Sequence, residues 1–183
     1  MRYKEYNINK VLEKSITLFW QKGYNGCSIN EIVLETGVNR FSLYHEFKNK
    51  EGILDASLDL YRDRYCDDKL SLLKAEGNLF ETLKNFYMSF LEQKIYMSGC
   101  YFIHIGTELA DTNEKVKNSL NEYLKEIQCL LSSLLIQNKY SFKDAEFKAR
   151  HLLGLFCTSM SLGLIHTSEE RNKYLTNGIN LIL

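Results

Sequence analysis

The segment GVNRFSLYHEFKNKEGI, residues 37–53, concentrates side chains that can do recognition chemistry. Arg40, Tyr44, His45 and Lys48 bring hydrogen-bond donors, aromatic edges and positive charge onto one short stretch. A guanidinium fork can meet two acceptors at once, and an ammonium serves as a point charge for an anion. This is chemistry for gripping a polyanion and reading polar edges. Chemistry for turnover is not signalled: the sequence holds no G-x-S-x-G, H-E-x-x-H, P-loop or dinucleotide fingerprint. His45, His104, His151 and His166 have no nucleophile or carboxylate partner that spacing alone identifies. No catalytic residue and no cofactor is therefore assigned. A catalytic pocket assembled across helices, and an adaptor that binds other proteins, are the competing classes.

A helix must hold those donors, and the same residues predict one. At about 100° per residue, Leu43 and Phe47 fall within about 40° of each other and define a buried stripe. Arg40, Tyr44, His45 and Lys48 spread over the rest, and Phe41 lies nearly opposite Leu43. An outward Phe either supplies apolar contact to a partner or packs against Tyr3 or Tyr6 of the preceding chain. Upstream, Ser28-Ile-Asn-Glu31 spells a capping box that opens a short helix ending near Thr36-Gly37, and Asn39 caps the helix 40–47. An earlier helix starts after Asn7, carries Ile8, Val11, Leu12, Ile16 and Phe19 at helical spacing, and stops at Gly23. Two short helices joined by a Gly-containing turn form the helix-turn-helix pattern, whose second helix lies in the major groove of DNA.

Further helix signals follow. Asn49 precedes a long helix, roughly 50–75, ended by Gly77, and Asn78-Leu-Phe-Glu81 opens another to about 97. A Ser98-Gly99 break leads to a short apolar helix, 100–110, and Asp111-Thr112 starts one to about 137. Ser141 caps a helix 142–165, and Thr167-Ser-Glu-Glu170 is a second capping box that opens the last helix. There is no Pro to break them and no sustained period-two alternation, so the fold class is all-α with about nine helices.

The formal charge is zero, yet residues 1–50 hold eight Lys/Arg against five Asp/Glu, while 51–183 hold fifteen against eighteen. A polyanionic partner thus belongs at the front. Five scattered Cys without a C-x-x-C pair point to a reducing compartment. No run of eighteen apolar residues and no signal-peptide core is present, so a cytoplasmic protein without membrane contact is expected. Cys100 and His104 are four apart and could share a metal, but no second ligand pair of similar spacing accompanies them, so no metal site is assigned.

The stretch FWQKGYNGCSINEIVLETGVNRFSLYHEFKNKEGIL resembles the DNA-binding signature of the TetR family of bacterial transcriptional regulators. The likeness covers about residues 8–55: the aromatic-x-x-x-G-Y segment, the Ser cap, the I-x-x-x-x-G-V turn, the L-Y-x-x-F core and the K-E that opens the fourth helix. It implies a helix-turn-helix domain over 1–49 and a helical ligand-binding and dimerisation domain over 50–183. It further implies a repressor that binds a palindromic operator as a homodimer and is released by a small hydrophobic or aromatic inducer. Carried over residue by residue, Ser28, Tyr44 and Lys50 would contact phosphates, with Asn39 and Lys48 beside them, and Arg40 and His45 would approach base edges. Arg2 and Lys4 could form an amino-terminal arm. Phe41 departs from the family, which often has a small residue there; a Phe can touch a thymine methyl.

In the regulatory half, HLLGLFCTSMSLGLI is apolar almost all round, with Gly154, Ser159, Ser161 and Gly163. One face can pack inward while another, with the last helix, meets a second subunit. Pocket candidates are Tyr61, Tyr65, Phe86, Phe90, Tyr101, Phe102, His104, Phe156 and Met160, each of which has core packing as its alternative. SGCYFIHIGTELADTNEKV is similar to a stretch in a subset of the family that includes electrophile sensors, which makes Cys100, near a helix start, a candidate redox-sensing thiol. Simple packing is the alternative, because relatives without known redox function also carry Gly-Cys there.

Overall fold

The computed structural model describes residues 6–91, 99–162 and 165–183, and among these the chain is helical without a strand. Helices α1 (Ile8–Gly26), α2 (Ile29–Thr36) and α3 (Arg40–Phe47) come first. Helix α4 starts as Lys50–Tyr61, passes through a wider π turn at Arg62–Cys66 and ends as Asp67–Leu72. The chain continues with α5 (Leu79–Leu91), α6 (Tyr101–Leu109), α7 (Glu114–Gln137), α8 (Phe142–Ser161) and α9 (Ser168–Ile182).

The side-chain caps explain most of these starts. Asn7, Asn39, Asn49, Asn113, Ser141 and Thr167 each accept a backbone N–H of the first turn. Such a cap is worth roughly 1 kcal/mol. Both capping boxes form as the sequence predicts. Gly23 breaks α1 with φ 73 and ψ 165, at the position expected for its stop, although a short helical turn follows.

Three boundaries differ from the sequence reading. The helix 50–75 is interrupted where the Asp67 N–H donates to the Arg62 carbonyl five residues back. Asp111-Thr112 does not open α7: the N–H groups of Thr112 and Asn113 both donate to Leu109 O and finish α6, leaving Asn113 as the cap. α8 ends at Ser161, and the N–H groups of Ile165 and His166 turn back onto Leu162 O. The expected continuation of α5 through 92–97 lies outside the described residues, as do Ser98, Gly163, Arg2, Tyr3 and Lys4.

Helix α1 packs on α2, α4 and α6, and α3 packs on α4. The other helices form a bundle in which α7 pairs with α8, and α9 covers α5 and α8. Two aromatic clusters hold the bundle. Trp20 of α1 meets Tyr61 of α4 and Tyr101 of α6 at ring distances of 5.5 and 5.7 Å, where the front helices join the rest. Phe86 and Phe90 of α5 pack on Phe156 of α8 at 5.7 and 5.1 Å. Buried aromatics of this size dominate core energetics. None of the described helices is long and apolar enough to cross a membrane.

Candidate nucleic-acid interface

Helices α2 and α3 are short, and neither would hold its shape alone. Their anchors are apolar: Ile29 and Ile32 of α2, Val38 of the turn, and Leu43 and Phe47 of α3 are all buried. Full burial of each such side chain stabilises by about 1.5–3 kcal/mol. Gly37, with φ 73, closes α2 by donating its N–H to Val33 O. The turn is therefore anchored at both ends, and what remains outside is the opposite face of α3.

That face carries Arg40, Phe41, Tyr44, His45 and Lys48, all exposed. Leu43 is 0% exposed and Phe41 is 81% exposed, as the helical angle requires. The Phe41 ring stacks on His45 with centroids 6.4 Å apart. Arg40 sits 5.9 Å from the centre of the Tyr44 ring and donates to Asn30 Oδ1 of α2 at 3.2 Å. Asn30 is exposed and was missed by the sequence reading, which gave α2 a role only at its cap. Tyr6, one of the two possible braces for Phe41, instead donates its hydroxyl to Ser42 O at 3.3 Å. The other brace, Tyr3, lies outside the described residues.

Ser28 and Asn39 are caps first. The Ser28 Oγ accepts the Glu31 N–H and donates to Glu31 Oε2, while Oε2 also accepts the Ser28 N–H. Lys22 of α1 pairs with the same carboxylate. Hydrogen bonds from Lys22 and then from Ser28 hold the Glu31 carboxyl down at about 2. Asn39 Oδ1 accepts the Ser42 N–H at 2.9 Å. Both residues stay exposed at the rim of the α3 face.

Lys50, expected at a phosphate, also holds backbone. Its ammonium donates to Tyr24 O and Cys27 O, both at 2.8 Å, and lies 4.0 Å from the centre of the Tyr24 ring. The carbonyls at the end of α1 need donors, and Lys50, at the first position of α4, supplies them. Two features that set this geometry carried no motif. Gly52 lies under the α3–α4 corner, where an added Cβ would stand 1.8 Å from Phe47 O. Glu108 of α6 accepts the N–H groups of Tyr24 and Asn25, both at 2.8 Å.

The expected pocket residues are brought together as core. Tyr61, Phe86, Phe90, Tyr101, Phe102, Phe156 and Met160 are buried, while Tyr65 and His104 are half-buried. Tyr101 OH shares a hydrogen bond with Ser57 Oγ at 2.8 Å, and Phe102 stacks on Tyr123 at 4.9 Å. The buried His104 Nε2 has no hydrogen-bond partner. A groove of about 220 Å³ between α4 and α5, lined by Leu72, Gly77, Asn78, Thr82 and their neighbours, contains none of the nine. Cys100 stands at the N-cap position of α6 without a side-chain cap hydrogen bond. It is 1% exposed, and burial pushes its thiol up despite backbone donors from Ile103 and Phe102 and the Tyr61 hydroxyl. Desolvation here outweighs the helix start that suggested a reactive thiolate. Among the described residues no group of three or more His, Cys, Asp or Glu is placed to hold a metal.

Residues 11–57 match the family model described as bacterial regulatory proteins, tetR family. The chain is 34% identical over 128 residues to the transcriptional repressor ComR of Escherichia coli K12, an alignment covering 65% of this chain and 59% of ComR. It is 27% identical over 119 residues to the repressor NemR of the same organism, covering 63% of this chain and 60% of NemR. The matched part thus spans about three fifths of either relative. Among solved structures, a TetR-family regulator from Streptomyces coelicolor superposes with TM-score 0.84 at 19% identity, covering 94% of this chain and 92% of that one. A cysteine mutant of the regulator CifR, complexed with 26bp double-strand operator DNA, gives TM-score 0.87 at 16% identity, covering 98% of both chains. At these identities the superpositions establish a shared fold.

Proposed function

We propose, from the match of residues 11–57 to the tetR family of bacterial regulatory proteins, that this chain is a TetR-type transcriptional repressor rather than an enzyme. In this reading residues 1–49 bind operator DNA in the cytoplasm, and residues 50–183 dimerise and respond to a small molecule. The observation that carries the reading is the α3 face. Donors, positive charge and aromatic rings stand outward together at Arg40, Phe41, Tyr44 and His45, while Leu43 and Phe47 fix the helix from behind. Arg40 can pair with the O6 and N7 of guanine, and Phe41 can meet a thymine methyl. Ser28, Asn39 and Lys48 at the rim are the positions for phosphate oxygens.

A homodimer is supported by what α8 and α9 leave uncovered. Phe142, Phe147, Tyr174 and Leu181 are exposed, and Phe147, His151, Gly154, Thr158 and Ser161 share one outward strip of α8. Small residues on such a strip let a second helix come close. Two-fold pairing would place two copies of α3 about 34 Å apart on an inverted repeat. The ligand would be small and hydrophobic or aromatic, because the bundle interior that must part to admit it is built from Phe86, Phe90, Phe102 and Phe156. Binding would favour a conformation with the wrong half-site spacing and shift the population off DNA.

Selection of the full-length protein on a library of random duplexes tests this. The expected product is an inverted repeat with half-sites one helical turn apart. Failure to enrich any sequence would remove the reading.

A further inference from the structure

Residues 23–27, the end of α1 from its break at Gly23 to its C-cap Cys27, are held from two sides by opposite charges on two other helices. Near its C-terminal end, α6 presents Glu108, whose Oε2 accepts the Tyr24 N–H and whose Oε1 accepts the Asn25 N–H, both at 2.8 Å. α4 begins on Lys50, whose ammonium donates to Tyr24 O and Cys27 O, also at 2.8 Å. Two N–H groups of this segment thus go to an anion and two of its carbonyls to a cation, an arrangement of charge-assisted hydrogen bonds. Gly23 makes the approach possible: it has φ 73, and an added Cβ would lie 2.8 Å from Glu108 Oε2. The segment leads straight into Ser28, the cap of α2, and so sets where α2 starts.

We propose that Glu108 is a positioning residue for the DNA-reading helices. Its carboxylate fixes the segment 23–27, and the attitude of α2 and α3 therefore follows the end of α6. The functional consequence rests on the proposed reading of DNA, whereas the lock itself is a property of the fold. Gln cannot replace Glu108, because a carboxamide offers one acceptor and turns an NH2 donor toward the second backbone N–H.

Hydrogen exchange on the full-length wild type, Glu108→Gln and Gly23→Ala tests the lock. Loss of the lock should raise exchange at Tyr24 and Asn25 by at least about tenfold, with residues 29–47 following and α7 and α8 unchanged. Gly23→Ala should give the same pattern with the carboxylate still present. On a duplex selected by the wild type, both variants should bind at least about tenfold more weakly with the same salt dependence. Unchanged exchange over 29–47, or a uniform rise through every helix, overturns the proposal. A wild type that selects no duplex removes the DNA reading, and the exchange comparison then decides the lock by itself.

Discussion

Phe41 offers its ring to solvent, stacked on His45, while Tyr6 uses its hydroxyl on Ser42 O. Exposure at this level leaves a partner, not the described core, to cover it. Phe41→Ala should lower affinity by about 1 kcal/mol, the scale of partial apolar burial, and relax the base preference at one position of a selected site. Uniform weakening with unchanged preference would instead favour a bracing role. Glu31 supports a second prediction. Its carboxyl is held near 2 against an ordinary 4.5 by Lys22 and Ser28, so the folded value is depressed. A depressed carboxyl stabilises the fold above the unfolded value and loses that contribution as pH falls toward the folded one. Thermal midpoints should therefore drop between about pH 4.5 and 2, and Glu31→Gln should flatten that part of the profile; an unaltered slope in the variant would refute it.

At the scale of elements, the α2–turn–α3 unit was legible because its determinants are local. Ser28 with Glu31, Gly37, and Asn39 with Ser42 all act within four residues, so their spacing is their mechanism. Glu108 was illegible because its partners, Tyr24 and Asn25, are 84 and 83 residues away. The resemblance gave Lys50 a phosphate, and only the fold shows that its ammonium also holds two backbone carbonyls, Tyr24 O and Cys27 O. Cys100 carried the signal of a helix start, but burial is a property of the packed bundle and could not be read there. The α3–α4 corner belongs to the same class. Lys48 takes φ 70, the Asn49 N–H returns to Phe47 O at 2.9 Å, and Gly52 passes beneath. Gly52→Ala drives a Cβ into a backbone carbonyl that has no room to shift. It should cost about 1–3 kcal/mol in urea unfolding and weaken DNA binding further by tilting α3. Wild-type stability in this variant would show that the corner is not fixed as described.

Across the whole molecule, exposed apolar side chains occur at the front, on Leu34 and Phe41, and again on α8 and α9. The amino-terminal residues 1–50 carry the basic excess, and the exposed apolar side chains of α8 and α9 lie in the more acidic remainder. Leu181, 87% exposed at the end of α9, should be covered in a dimer. Leu181→Glu should shift sedimentation from dimer to monomer and reduce affinity for a two-half-site duplex far more than for a single half-site. A dimer that tolerates the change would place the interface elsewhere. If the outward face of α3 and the rim around α2 bind DNA through its phosphates and base edges, binding releases counterions, and a salt titration reads that release. On a selected duplex, log affinity should fall linearly with log salt, with a slope steeper than about −3 for a dimer gripping several phosphates through Lys and Arg. Weak binding that stays flat from low to physiological salt would exclude DNA as the partner of this face.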